Sequence, residues 1–188
     1  MSDIKANQFS SIEQMRADFE RRSQRSISMP LAGMLVWLFI AVISFFLDSK
    51  LAIYVLLFSS GAIFPLALLI AKFRQEDLMS RTNPLATLMG YCVLMVNLLW
   101  AVHIPLLFIE PELLPLSLAI ALGLHWVVYS WIIQHPLGII HAVLRTLMVV
   151  SAFYLFPKNS LSAIALAVVF AYMISLWMML RREIAWKA

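Results

Sequence analysis

One cysteine, Cys92, and five glycines in a chain of 188 residues remove several chemistries at once. A lone thiol forms no internal disulfide and anchors no cysteine-based metal cluster. So few glycines leave little room for a phosphate-cradling loop. No nucleophile elbow, HExxH zinc motif or paired carboxylates appear either, so an enzyme is the less favoured class. Charge is also scarce, at 13% of residues, where an average soluble domain carries about a quarter. The long apolar runs contain no Asp or Glu, which argues against a cation pathway lined by acidic side chains.

What the chain has in abundance is apolar residues, 63% of the total, with a mean hydropathy of +0.90. Six runs stand out, at roughly 30–47, 52–71, 84–109, 113–133, 136–156 and 160–180. Each can cross a hydrocarbon core of about 30 Å as a helix. Lipid offers no partner for backbone polar groups, so the expected fold is all-α, a polytopic transmembrane bundle of six spans. The expected division is a polar tail over 1–29, a six-helix domain over 30–180 and a second tail over 181–188. The first 29 residues do not read as a signal peptide, which leaves the first span as an uncleaved signal.

Basic residues set the orientation. Lys5, Arg16, Arg21, Arg22 and Arg25 precede the first span, Lys72, Arg74 and Arg81 follow the second, and Arg181, Arg182 and Lys187 follow the last. The opposite side has only Lys50 and Lys158. The bias places both termini in the cytoplasm. Charges grouped at span ends also argue against a nucleic-acid partner; the expected partner is the lipid bilayer. Before the first span, "SSIEQMRADFERRSQR" reads as a short amphipathic helix. Ser10 and Glu13 would form a capping box, Ile12, Met15 and Phe19 an apolar stripe, and the basic end would meet anionic headgroups as an interfacial lead-in.

Pro30, Pro84, Pro115 and Pro136 fall at expected helix starts, where a missing N–H costs nothing. Pro65 and Pro105 lie inside runs, where they should kink the helix and free the carbonyls of Gly61 and Ala101. In the last run Ala163, Ala167, Ala171 and Ser175 recur every fourth residue. Such a stripe admits another helix closely, within the bundle or across a homo-oligomer interface.

The residues that carry chemistry lie in the fourth and fifth runs. "HPLGIIHAVLRT" puts Arg145 near mid-membrane, where an arginine costs about 2.5–3.5 kcal/mol on insertion scales and should face inward. His141 lies one turn away on the same face. The preceding run contributes the i,i+4 pair His125 and Tyr129. The two runs form a tight hairpin, and His125 with Arg145, like Tyr129 with His141, are equidistant from its turn. Both pairs should therefore be level. With no internal carboxylate, Arg145 must draw on neutral His125, the Tyr129 hydroxyl, Asn97 or the proline-freed carbonyls, or else await an anionic ligand. Trp100, Trp126, Tyr129 and Trp131 form an aromatic group, and an adjacent Arg argues against its caging a cation. Haem ligation by His103, His125 or His141 lacks the spacing of paired ligands, and no cofactor or metal is expected.

The segments "DFERRSQRSISMPLAGMLVWL", "FPLALLIAKF", "NPLATLMGYCVLMVNLLW" and "GLHWVVYSW" resemble an uncharacterised family of small bacterial six-span integral membrane proteins. That resemblance implies an inner-membrane location and a six-helix fold, and it brings no assigned activity. The leading expectation is a small transporter or channel-like protein. It would bind a small polar or anionic solute through Arg145, His141, His125, Tyr129, Asn97 and Trp126. The alternative is a non-transporting scaffold or accessory subunit associating through its last helix.

Overall fold

The computed structural model describes residues 11–78 and 80–184, and all regular structure among them is helical. The helices are α1 (Ile12–Ser23), α2 (Ser28–Ile43), α3 (Ser49–Gly61), α4 (Ile63–Arg74) and α5 (Pro84–Leu98). They continue as α6 (Trp100–Ile109), α7 (Leu114–Ala121), α8 (Trp126–Ile133), α9 (Leu137–Leu155) and α10 (Ser160–Arg181). Among the described residues five stretches are long and apolar enough to cross a membrane, or six if the bent pair of α3 and α4 is one span.

Helix starts follow local chemistry. The Asp48 carboxylate accepts the Leu51 N–H at 3.0 Å ahead of α3. The Asn83 amide oxygen accepts the Leu85 N–H at 2.9 Å ahead of α5, whose first residue is Pro84. The cap of α1 is Ser11, whose hydroxyl accepts the Gln14 N–H at 3.3 Å. Ser10, expected in that role, lies outside the described residues.

Three runs are broken rather than continuous. The α3–α4 axis bends by 41° at Ala62. Pro65 then falls in the first turn of α4, where its missing N–H is one of the unpaired end donors. The break between α5 and α6 is at Leu99, well before Pro105, and the Leu99 N–H turns back to the Val96 carbonyl at 3.2 Å. The third break, at Leu122–His125 between α7 and α8, corrects the expectation of a continuous helix over 113–133. There the Gly123 N–H reaches the Ile120 carbonyl at 2.9 Å and the Leu124 N–H that of Ala121 at 3.2 Å. Bonds to the third residue back tighten the coil locally and rotate α8 relative to α7.

α10 is the central element, packed against α9 on one side and α2 on the other, with α7 touching both α9 and α10. α4 lies on α2 and α8 on α9, while α5 and α6 are peripheral. Trp37, Ile40, Leu118, Ile132, Ile164 and Val168 are fully or almost fully enclosed. Ala167, Ala171 and Ser175 of the small-residue stripe are buried within the chain, and Ala163 is half-buried. The α8–α9 hairpin is close enough that a methyl group on Gly138 would come within 2.0 Å of the Trp126 carbonyl oxygen. The Ser130 hydroxyl crosses the same hairpin to accept the Ile139 N–H at 2.8 Å.

The lead-in helix docks part of its surface on the bundle. Asp18, Phe19, Glu20 and Ser23 of α1 are buried, and the helix packs on α5 and α8. The reason is polar. Asn83 donates to Asp18 at 2.9 Å and to the Met15 carbonyl at 2.8 Å, and Arg182 donates to Glu20 at 2.7 Å.

Gly138→Ala should therefore lower stability by about 1–3 kcal/mol through overpacking against backbone. In Gly90→Ala the added methyl meets nothing within 4 Å, and exchanging glycine for alanine in a helix should hold or raise stability by up to about 1 kcal/mol. Thermal unfolding of the two variants in detergent checks the contrast.

Candidate functional site

Arg145 is completely enclosed. Its Nε donates to the Ala119 carbonyl at 2.7 Å and its Nη1 to the Tyr172 hydroxyl at 3.2 Å. The guanidinium carbon stands 5.6 Å from the Trp37 ring centre and 5.3 Å from that of Tyr172, both within cation–π range. Ala119 is available because of the helix break, since the Gly123 N–H that would have taken its carbonyl bonds to Ile120 instead. Gly123 also makes room, for a methyl there would meet Arg145 Cδ at 3.0 Å. A freed carbonyl does serve Arg145, as sequence reasoning required, but the break at Gly123 supplies it, not Pro65 or Pro105.

His141 lies beside this group. Its Nδ1 is 2.7 Å from the Ser175 hydroxyl, which itself donates to the Ala171 carbonyl at 2.9 Å. Having given its one proton to Ala171, the hydroxyl can only accept, so His141 carries its proton on Nδ1. The imidazole is stacked on the Trp126 ring with centroids 4.0 Å apart, and the Tyr172 ring lies 5.0 Å away.

Trp126 separates this enclosed cluster from a cavity of about 560 Å³ on the side of α1. His125, Trp126 and Tyr129 line its inner wall, Phe19 and Ser23 of α1 and Met29 of the α2 start line another, and one face of α5 forms a third. Tyr129 does not face His141 across the hairpin. It is buried, donates from its hydroxyl to the Arg25 carbonyl at 3.2 Å and rests its ring near Phe19 and Trp126. The tightened turn at Leu122–His125 explains the exchange, because it rotates Trp126 onto His141 and Gly123 onto Arg145. Asn97 is exposed and donates to the Val93 carbonyl of its own helix at 2.8 Å. Of the six residues expected to form one site, Arg145 and His141 are sealed behind Trp126, His125 and Tyr129 line the cavity with it, and Asn97 stands apart. The remaining haem candidate, His103, pairs with Ser117 at 3.3 Å.

Around the cavity, charged groups join α1 to the ends of other helices. Arg25 donates to the Met179 and Leu180 carbonyls at the end of α10, acceptors that the helix itself leaves open. Glu20 and Arg182 form a buried ion pair at 2.7 Å. Burial works against the Arg182 charge, but the Glu20 carboxylate and the nearby Tyr129 outweigh it and hold its pKa above the ordinary arginine value. Asp18 binds Arg21 and Arg22, each at 2.9 Å.

Tyr172, Trp37 and the Glu20–Arg182 pair were not anticipated. Tyr172 was within reach. Applied to the turn between α9 and α10 at Lys158, the equidistance argument pairs Arg145 with Tyr172 and His141 with Ser175, as observed.

Residues 12–182 match a family of unknown function (DUF7010), and the chain belongs to that family. No curated protein and no solved structure matches the chain.

Removing the Tyr172 hydroxyl as Tyr172→Phe should cost about 1–2 kcal/mol, the range for a bond from a charged donor tempered by the membrane setting. Arg145→Met should cost at least as much by orphaning the Ala119 carbonyl. The double variant should lose less than the two together, since they share one interaction. Unfolding curves for the three variants measure that coupling, and strict additivity would contradict the assigned bond.

Proposed function

We propose that this member of a family of unknown function is a six-span protein of a bacterial inner membrane, with both termini in the cytoplasm. In this reading it is a small transporter or solute-binding protein whose site is the cavity beneath α1. The cavity carries the proposal. Its volume of about 560 Å³ falls in the range of small-molecule sites, about 300–1,000 Å³. It is walled by aromatic and apolar groups with a few polar ones at one end, the usual make-up of such sites.

The division of labour differs from that expected of the sequence. Arg145, enclosed by Ala119, Tyr172 and Trp37, acts as a brace behind the site rather than as an anion clamp. His125, Trp126 and Tyr129 make contact with the solute. The six-span topology takes α3 and α4 as one bent span. The bias of Lys and Arg then puts α1, the α4–α5 loop and the end of α10 together on the cytoplasmic side, the side where Arg25 and Arg182 join them.

Labelling tests the access route. In a Cys92→Ala background, Met89→Cys places a thiol on the cavity wall. A membrane-impermeant maleimide should modify it from the cytoplasmic side of inverted vesicles. Adding Gly90→Trp, which projects into open space, should slow modification at least about tenfold, by analogy with blocked binding sites. Equal rates with and without the tryptophan, or modification only from the opposite side, would overturn the reading.

A further inference from the structure

We infer that the cavity takes an anionic amphiphile, an acyl chain bearing a phosphate or carboxylate headgroup, with the chain admitted sideways from the bilayer between α4 and α5. The inference rests on the cavity being the binding site and names what occupies it.

The cavity has two chemically different ends. Along α5 it runs from Ala86 to Leu94, about 12 Å at 1.5 Å per residue. Over that depth Phe64, Met89, Leu94, Trp126 and Met179 give it an apolar lining. Phe64, Tyr91 and Leu94 line it while remaining 41%, 65% and 54% exposed. They are thus both cavity wall and lipid-facing surface, which makes the wall between α4 and α5 an opening at membrane depth. α5 packs chiefly on α1, α6 and α8, leaving that side uncovered. A purely polar solute has nothing to gain from such an opening, whereas a hydrocarbon chain passes through it without leaving an apolar medium.

At the cytoplasmic end the lining turns polar, with Ser23, Ser26, Asp77, Ser80 and Arg81. Asp77 is committed to Arg22, its carboxylate 3.7 Å from the guanidinium and its N–H on the Arg22 carbonyl at 3.0 Å. Arg81 is exposed and makes no ion pair or hydrogen bond among the described residues, so the rim has one uncommitted charge, and it is positive. Ser23 lines the same cavity, and its hydroxyl, in a residue only 3% exposed, has no hydrogen-bond partner among the described residues. A guanidinium and a buried unpaired hydroxyl at the polar end of an apolar slot fit an anionic headgroup on a chain.

The test uses the tryptophan fluorescence of the full chain, to which Trp126 in the cavity wall contributes as one of six tryptophans, held in a neutral detergent. Bromine-labelled phosphatidylglycerol, phosphatidylcholine and stearate, and sodium phosphate as a chainless control, are titrated separately. The informative signal is the part of the quenching that Gly90→Leu removes. That part should appear with phosphatidylglycerol or with stearate, and whichever acts distinguishes a bilayer lipid from a free fatty acid. Arg81→Ala, a surface change that leaves packing intact, should weaken it about tenfold. Equal quenching by phosphatidylcholine, indifference to Arg81→Ala, or full reversal of the lipid quenching by sodium phosphate at the lipid's own concentration would overturn the inference. If no brominated lipid quenches while Gly90→Trp still blocks thiol labelling, the amphiphile is wrong and the cavity reading stands. If the labelling is also indifferent, both fall.

Discussion

A guanidinium with no carboxylate within reach must take all its acceptors from backbone and aromatic groups, and this chain arranges several helices to supply them. Insertion scales put an arginine at mid-membrane at about 2.5–3.5 kcal/mol, so in the proposed membrane setting the Arg145 site persists only if its surroundings offset that. α7 gives up a carbonyl at Ala119, α10 presents the Tyr172 hydroxyl and ring, and α2 contributes the face of Trp37. Four helices, α9 included, are thus brought to one point. Gly33 lets α2 approach the tip of Tyr172, where a methyl group would meet the hydroxyl at 2.6 Å. Buried polar groups of this kind tend to specify one arrangement rather than add net stability, and here the arrangement specified is the packing of α2, α7, α9 and α10.

The helix break at Gly123 belongs to the same constraint. A regular α-helix through Leu122–His125 would consume the Ala119 carbonyl in its own ladder. The shorter bond of Gly123 to Ile120 releases it and also turns α8. One local tightening therefore gives the cation an acceptor for its Nε and sets which residues of α8 face the cavity. His141 joins from the other side through its stack on Trp126. The Arg145 cluster and the cavity wall are mechanically one object seen from two faces.

This explains which parts of the structure the sequence could reveal. The outer limits of the six apolar runs lie within a few residues of those of single helices or broken helix pairs, α9 and α10 almost end to end, because long apolar runs have to satisfy their own backbone. Depth was legible too, from distance to a turn, and the same argument extended to the α9–α10 turn reaches Tyr172 and Ser175. Rotation about the helix axis was not. It depends on whether one N–H bonds three or four residues back, and no side-chain pattern around Gly123 announces that. Nor were contacts such as Glu20 with Arg182 legible. They join the two ends of the chain, and neither residue type nor spacing selects that partner from the other charges at the same surface.

Those terminal contacts place the cavity between two unlike walls. Behind Trp126 the packing is dense and the polar groups are enclosed. On the other side α1 is held by polar bonds near the end of the bundle, and the Arg22–Asp77 pair among them is part-exposed on both sides at 3.7 Å and so worth little. The hold on α1 therefore falls on its buried members, the Glu20–Arg182 pair and the Asn83 bond to Asp18. The chain leaves α1 through Gln24, Arg25 and Ser26 with φ of 43°, 75° and 53°. This is a left-handed run without glycine, which surrounding contacts must sustain. Arg25 supplies them in both directions, its guanidinium on the last carbonyls of α10 and its own carbonyl under the Tyr129 hydroxyl. Because Tyr129 is cavity wall, as are Phe19 and Ser23 of α1 itself, the posture of α1 and the shape of the cavity are tied both directly and through that hydrogen bond.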